Sequence, residues 1–173
     1  MHRRSVLLAV SLLAAAALIV SPAAAQHSFS PPDAAYDPAV PTPRSVLGYE
    51  IGERFTPHHM IMRYVDALAA TSRRVRLDTL AYTFEGREVL MAILTSEANQ
   101  ARLDQIKADA RRLMDPRGAS PAELDAVVAR MPAIVWLGYT VHGGEASGTE
   151  AALAMLYQLA AGRDAETQLI LDS

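Results

Sequence analysis

His142 and Glu145 are the residues whose types and spacing offer chemistry, separated by Gly143-Gly144. An imidazole nitrogen and a carboxylate oxygen three residues apart make a donor pair that suits zinc. The glycines lack a Cβ, so the chain can curl tightly enough for both side chains to converge on one ion. The pair follows Ala133-Ile134-Val135-Trp136-Leu137-Gly138-Tyr139-Thr140-Val141, a run that predicts a buried strand ending at His142. In open α/β sheets, ligands bind at the carboxyl ends of strands. By itself the pattern is short, and a hydrogen-bonded strand-end histidine before an ordinary turn is the simpler account of it.

Other chemistries find less support. Cysteine is absent, which removes thiolate zinc sites, a cysteine nucleophile and disulfides. Ser147, in Gly144-Glu145-Ala146-Ser147-Gly148, misses the nucleophile-elbow pattern by one position. Neither an H-E-x-x-H helix, nor a phosphate-binding loop, nor a dinucleotide fingerprint is present. His58 and His59 read as surface residues of a first helical turn. Glu150, one turn past Glu145, is the only nearby carboxylate to nominate as a base, and it reads instead as facing solvent or capping a neighbouring group.

The elements that must position the pair follow from periodicity and punctuation. Thr56-Pro57 predicts a helix start, with threonine as N-cap and proline at the first position. Met60, Tyr64, Val65 and Leu68 then share a face up to about Ser72. Val75 to Thr83 and Val89 to Thr95 predict a hairpin through Phe84-Glu85-Gly86-Arg87, with Gly86 at positive φ. Glu97 to Met114 predicts one amphipathic helix, with Leu103, Ile106, Ala110 and Leu113 inward. Ser120-Pro121-Ala122-Glu123 is a capping box opening a helix to about Arg130. Ala146 to Ala161 predicts a helix with Gly162 as its C-cap glycine, and Asp164 to Leu171 starts the last. Strands separated by long helices, one of them continuously apolar, predict an α/β fold: a mixed sheet with helices on both faces.

Ahead of these elements, residues 1–25 have the layout of a secretory signal peptide: His2-Arg3-Arg4, an apolar stretch from Val6 to Val20, and Ala23-Ala24-Ala25 before Gln26. A membrane anchor is the alternative, and about 15 apolar residues are short for a span. Export to the periplasm or the extracellular space is therefore expected. Cleavage takes the 16 basic residues to 14 against 19 acidic ones, so the formal charge moves from −3 to −5. The basic residues are scattered, so neither nucleic acid nor stable membrane association is expected. Residues 26–44 carry five prolines and read as an extended arm, with the globular part over 45–173.

Taken in order, these landmarks resemble the amino-terminal part of M14-family zinc carboxypeptidases, of the kind found as large secreted bacterial proteins. They are Pro41-Thr42-Pro43 and Leu47-Gly48-Tyr49-Glu50-Ile51-Gly52; Tyr64-Val65-Asp66-Ala67-Leu68-Ala69 before Ser72 and Arg74-Val75; Thr83-Phe84-Glu85-Gly86-Arg87; and Trp136-Leu137-Gly138 with His142-Gly143-Gly144-Glu145-Ala146-Ser147-Gly148. The resemblance spans about Pro41 to Ser173. It implies a zinc ion at the carboxyl ends of the sheet strands, and removal of a residue from the carboxyl terminus of a peptide or protein. On it, His142 and Glu145 match the first two zinc ligands. The family's third ligand is a later histidine, and no histidine stands between Glu145 and Ser173. Its substrate-binding arginine and asparagine, its tyrosine and its general-base glutamate also come later, so no catalytic residue is identifiable here. The chain is expected to be an amino-terminal piece, inactive alone. Gly144 stands where well-known members often have a substrate-binding arginine, which removes that contact. The alternative is an exported, non-catalytic α/β binding module that keeps a partial metal site.

Overall fold

In a computed structural model that describes residues 34–173, the apolar periodicity becomes seven helices and one hairpin. The expected signal peptide and the first part of the proline-rich segment lie outside the described residues. The elements are α1 (Pro43–Leu47), α2 (His58–Thr71), β1 (Val75–Tyr82), β2 (Glu88–Leu94), α3 (Glu97–Ala101), α4 (Leu103–Met114), α5 (Pro121–Arg130), α6 (Ala146–Ala161) and α7 (Ala165–Asp172). The fold class is α/β, and the sheet among the described residues is the antiparallel pair β1–β2. Its register runs from Val75 opposite Leu94 to Tyr82 opposite Glu88, with an irregularity between Thr79 and Ala81. The turn closes as Gly86 N–H donates to the Thr83 carbonyl at 2.8 Å and Thr83 N–H to the Arg87 carbonyl at 2.7 Å. Gly86 has φ +76°, the left-handed residue that a three-residue hairpin loop requires.

Helix α2 packs against β1, and α6 against α2 and β2. Between them lie Tyr64 and Leu68 of α2, Leu153, Ala160 and Ala161 of α6, and Val75 of β1, joined by Leu47 and Tyr49. Tyr64 is wholly buried, and its loss of water pushes the phenol pKa upward. At the other end of the molecule α4 and α5 are clasped by a two-pronged pair. Arg130 Nε donates to Asp109 Oδ2 at 2.8 Å and Nη2 to Oδ1 at 2.5 Å. The capping box of α5 forms as expected, with Glu123 N–H donating to Ser120 Oγ and Ser120 N–H to the Glu123 carboxylate.

Four local expectations differ from what forms. The proline-rich segment is not a free arm from residue 36 onward. Tyr36 bridges to Gly162, its ring stacks on Tyr157 at 4.7 Å, and Val40 is buried in the core. The prolines prevent a long helix there but leave Tyr36 and Val40 free to anchor the strap. The α2 N-cap is Pro57, without a side-chain capping bond, because Thr56 is buried and engaged elsewhere. The single helix expected over Glu97–Met114 divides at Arg102, whose φ of −113° and ψ of 19° interrupt it.

The largest difference concerns residues 133–141, which form no strand. Ala133 N–H donates to the Ser173 carbonyl at 2.5 Å, yet Ile134, Val135, Trp136, Leu137 and Val141 are all exposed. A strand exists only when a neighbour accepts its ladder of hydrogen bonds. Apolar composition records a demand for burial, not whether a partner strand is present, and among the described residues no strand pairs with this segment.

Candidate metal centre

The chain leaves the 133–139 segment through a corner at Thr140, which has φ +57°. A threonine in the left-handed region costs on the order of 1–2 kcal/mol. It is the only such non-glycine among the described residues. Thr140 rests on the first turn of α6: a Cβ on Gly148 would lie 3.3 Å from the Thr140 nitrogen. Beyond the corner, Glu145 N–H donates to the His142 carbonyl at 3.0 Å, closing the Gly-Gly turn. Neither Gly143 nor Gly144 adopts positive φ, and a Cβ at either would meet nothing within 4 Å. The tight geometry expected of these glycines is therefore carried by Thr140 and Gly148 instead.

Glu145 is the N-cap residue of α6 and makes no side-chain capping bond. His142 and Glu145 are both exposed, so the pair stands at the surface after an open segment rather than at the end of a buried strand. Neither side chain hydrogen-bonds to another described residue. One imidazole and one free carboxylate flank a tight turn, and such a donor set fits two positions of a tetrahedral zinc ion. Among the described residues no group of three or more His, Asp or Glu side chains is gathered that could hold a metal. His58 and His59 are exposed on the first turn of α2, with His58 Nε2 3.2 Å from the Glu88 carbonyl oxygen.

Glu150 behaves differently from its neighbours. It is only 6% exposed, and its carboxylate accepts two backbone N–H groups, from Gly52 at 3.0 Å and from Thr56 at 2.9 Å. It caps a neighbouring loop, as one of the two sequence readings allowed. With both oxygens so engaged it is not a free base.

The family model for zinc carboxypeptidases matches residues 61–173, which runs from within α2 through α7 and includes the His142–Glu145 turn. The chain belongs to the zinc carboxypeptidase family. Comparison with curated proteins gives no match, and comparison with solved structures gives none either. In this zinc carboxypeptidase family member, sequence reasoning singled out the candidate pair His142 and Glu145 but missed the groups that shape their surroundings. Thr140 carries no pattern that announces positive φ. Gly148 looks like any small residue of an alanine-rich helix, and its close contact arises only once the 140 corner is folded onto it.

Proposed function

We propose that His142 and Glu145 are two protein ligands of a zinc centre that removes residues from the carboxyl ends of peptides. The observation that carries this reading is the His-Gly-Gly-Glu turn leading into α6, inside the matched range 61–173. Bound there, zinc would supply a Lewis acid for the scissile carbonyl and lower the pKa of a bound water. The chain's own contribution is to present one imidazole and one carboxylate from opposite ends of a closed turn. Gly144 leaves the approach between them open and gives substrate no charged contact.

These residues alone do not complete the centre. A catalytic zinc site takes three protein ligands and an open position, and orientation and proton transfer each contribute large rate factors. We propose, therefore, that the chain by itself holds zinc weakly and does not hydrolyse peptides, and that a longer product bearing a third histidine and a base does. We further propose export, with cleavage between Ala25 and Gln26. No helix of the described residues is long and apolar enough to cross a membrane.

The test is to assay the chain, and a version extended by the downstream reading frame, on peptides with free carboxyl termini, with and without zinc. The expected result is zinc-dependent release of terminal residues by the extended form only, abolished by His142→Ala. Comparable activity in the short form would refute the two-ligand argument. Activity in the extended form that survives His142→Ala would refute the metal assignment. An extended form with no activity would favour the second reading, a non-catalytic module, which the surface position of both donors supports.

A further inference from the structure

We infer that Glu150 is the positioning residue of this centre: by fastening α6 to the loop at residues 52–56, it sets where Glu145 and the turn from His142 stand. The inference rests on the reading of His142 and Glu145 as zinc ligands. Glu145 caps α6 without a side-chain bond, and Ala146 and Ser147 are exposed. An uncapped, exposed first turn frays, since its N–H groups have no intrahelical partners. The apolar anchors of α6, Leu153, Ala160 and Ala161, lie two or more turns away from Glu145. Glu150 lies five residues from it, about 7.5 Å along a helix axis. It is the nearest residue of the helix with side-chain hydrogen bonds to another part of the molecule.

The far side of the fastening is tied into the core through Thr56. Gly52 has φ +84°, in a turn where Glu53 N–H donates to the Glu50 carbonyl at 3.0 Å. Thr56 is fully buried, and its hydroxyl accepts from the core residue Tyr49 at 3.3 Å. A buried carboxylate is costly unless its oxygens are satisfied, and here both are taken by backbone donors. No cationic side chain of the described residues lies within ion-pair reach of it. The carboxylate therefore joins two backbones directly, one rooted in the core and one leading to the metal-binding turn. Once the first turn of α6 is held, Gly148 stays beneath Thr140, and the 140–145 corner keeps its place.

The test uses the full chain and its variants Glu150→Gln, Glu150→Ala, His142→Ala and, as a control, Asp109→Asn in the distant α4–α5 clasp. Zinc affinity is measured by competition with a chromophoric chelator, at a temperature where melts show each protein folded. Hydrogen exchange is followed at residues 145–149 and at Gly52 and Thr56. Glu150→Ala should weaken zinc binding by about 10-fold and speed exchange across 145–149. Glu150→Gln, which keeps one acceptor, should fall between it and the unmutated chain. Asp109→Asn should lower the melting temperature and leave zinc affinity unchanged, separating positioning from general destabilisation. In the unmutated chain, zinc should slow exchange at Gly52 and Thr56, because coupling between the two places is reciprocal; this readout stands even where a variant does not fold. A folded Glu150→Ala that binds zinc normally, while His142→Ala does not, would overturn the positioning role and leave the metal reading intact. Unchanged zinc binding in His142→Ala would overturn the metal reading. Unaltered exchange at 145–149 in Glu150→Ala or Glu150→Gln would show that α6 is held by something else.

Discussion

A Cβ placed on Gly162 would sit 2.5 Å from the Gln158 carbonyl oxygen, 2.8 Å from Gln158 Nε2 and 3.0 Å from Thr167 Oγ1. Its backbone is ordinary, with φ −60° and ψ 133°, so crowding, not a left-handed C-cap, demands glycine. Gly162→Ala should therefore destabilise the protein by about 1–3 kcal/mol, read as a lower denaturant midpoint. Gly86 presents the opposite case, open space around a φ of +76°. Gly86→Val should cost about 1–2 kcal/mol through backbone strain alone, whereas Gly86→Asn should lose much less, because asparagine tolerates that region. Melts of the valine variant that overlay the parent would show the turn to be more yielding than its dihedrals imply. The Gly86 requirement was legible, since two β-rich runs around Phe84-Glu85-Gly86-Arg87 specify the loop. The Gly162 requirement was only half legible: its place at the helix end could be read, but the crowding depends on Gln158, Thr167 and the Tyr36 strap.

Among the elements, the clasp between α4 and α5 is the clearest pH-sensitive joint. The Arg130 guanidinium, hydrogen-bonded to Asp109, holds that carboxyl below its ordinary range, with Gln105 assisting. A folded-state value below the unfolded one means that the unfolded chain takes up the proton first. The clasp's stabilisation is thus complete above the ordinary aspartate range and lost as pH falls through the depressed folded value. Denaturant midpoints should drop as pH is lowered below about 4, and Asp109→Asn should flatten part of that slope while lowering the midpoint at neutral pH. An identical slope in the variant would assign the acid sensitivity to other carboxylates. The helices at this scale were legible because capping chemistry and apolar spacing are local. Residues 133–141 were not, since strand formation depends on a partner that local composition does not reveal.

For the molecule as a whole, the strap at residues 36–40 closes the core at the carboxyl end of α6. Asp37 N–H donates to the Ala161 carbonyl at 2.7 Å, and Arg163 N–H to the Ala35 carbonyl at 2.8 Å. Val40, 4% exposed, adds an apolar anchor, so Val40→Ala should cost about 1–2 kcal/mol in a thermal or denaturant melt. A neutral substitution would mean that the strap is not part of the cooperative unit. Proline content hid this from the sequence, because it marks where helix cannot form without saying whether the chain still packs.

The chain contains one tryptophan, and Trp136 is 70% exposed on the open segment six residues before His142. Indole emission is therefore an optical channel specific to that segment, while every tyrosine except Tyr139 reports on the rest, Tyr64 and Tyr49 from within the core. Steady-state emission should resemble that of free indole in water and be quenched readily by iodide. Unfolding should barely move its wavelength, so tryptophan fluorescence would miss the melting transition that tyrosine absorbance records. Any blue shift on adding a ligand, a metal or a further stretch of polypeptide would then report, without a label, that residues 134–141 have been covered.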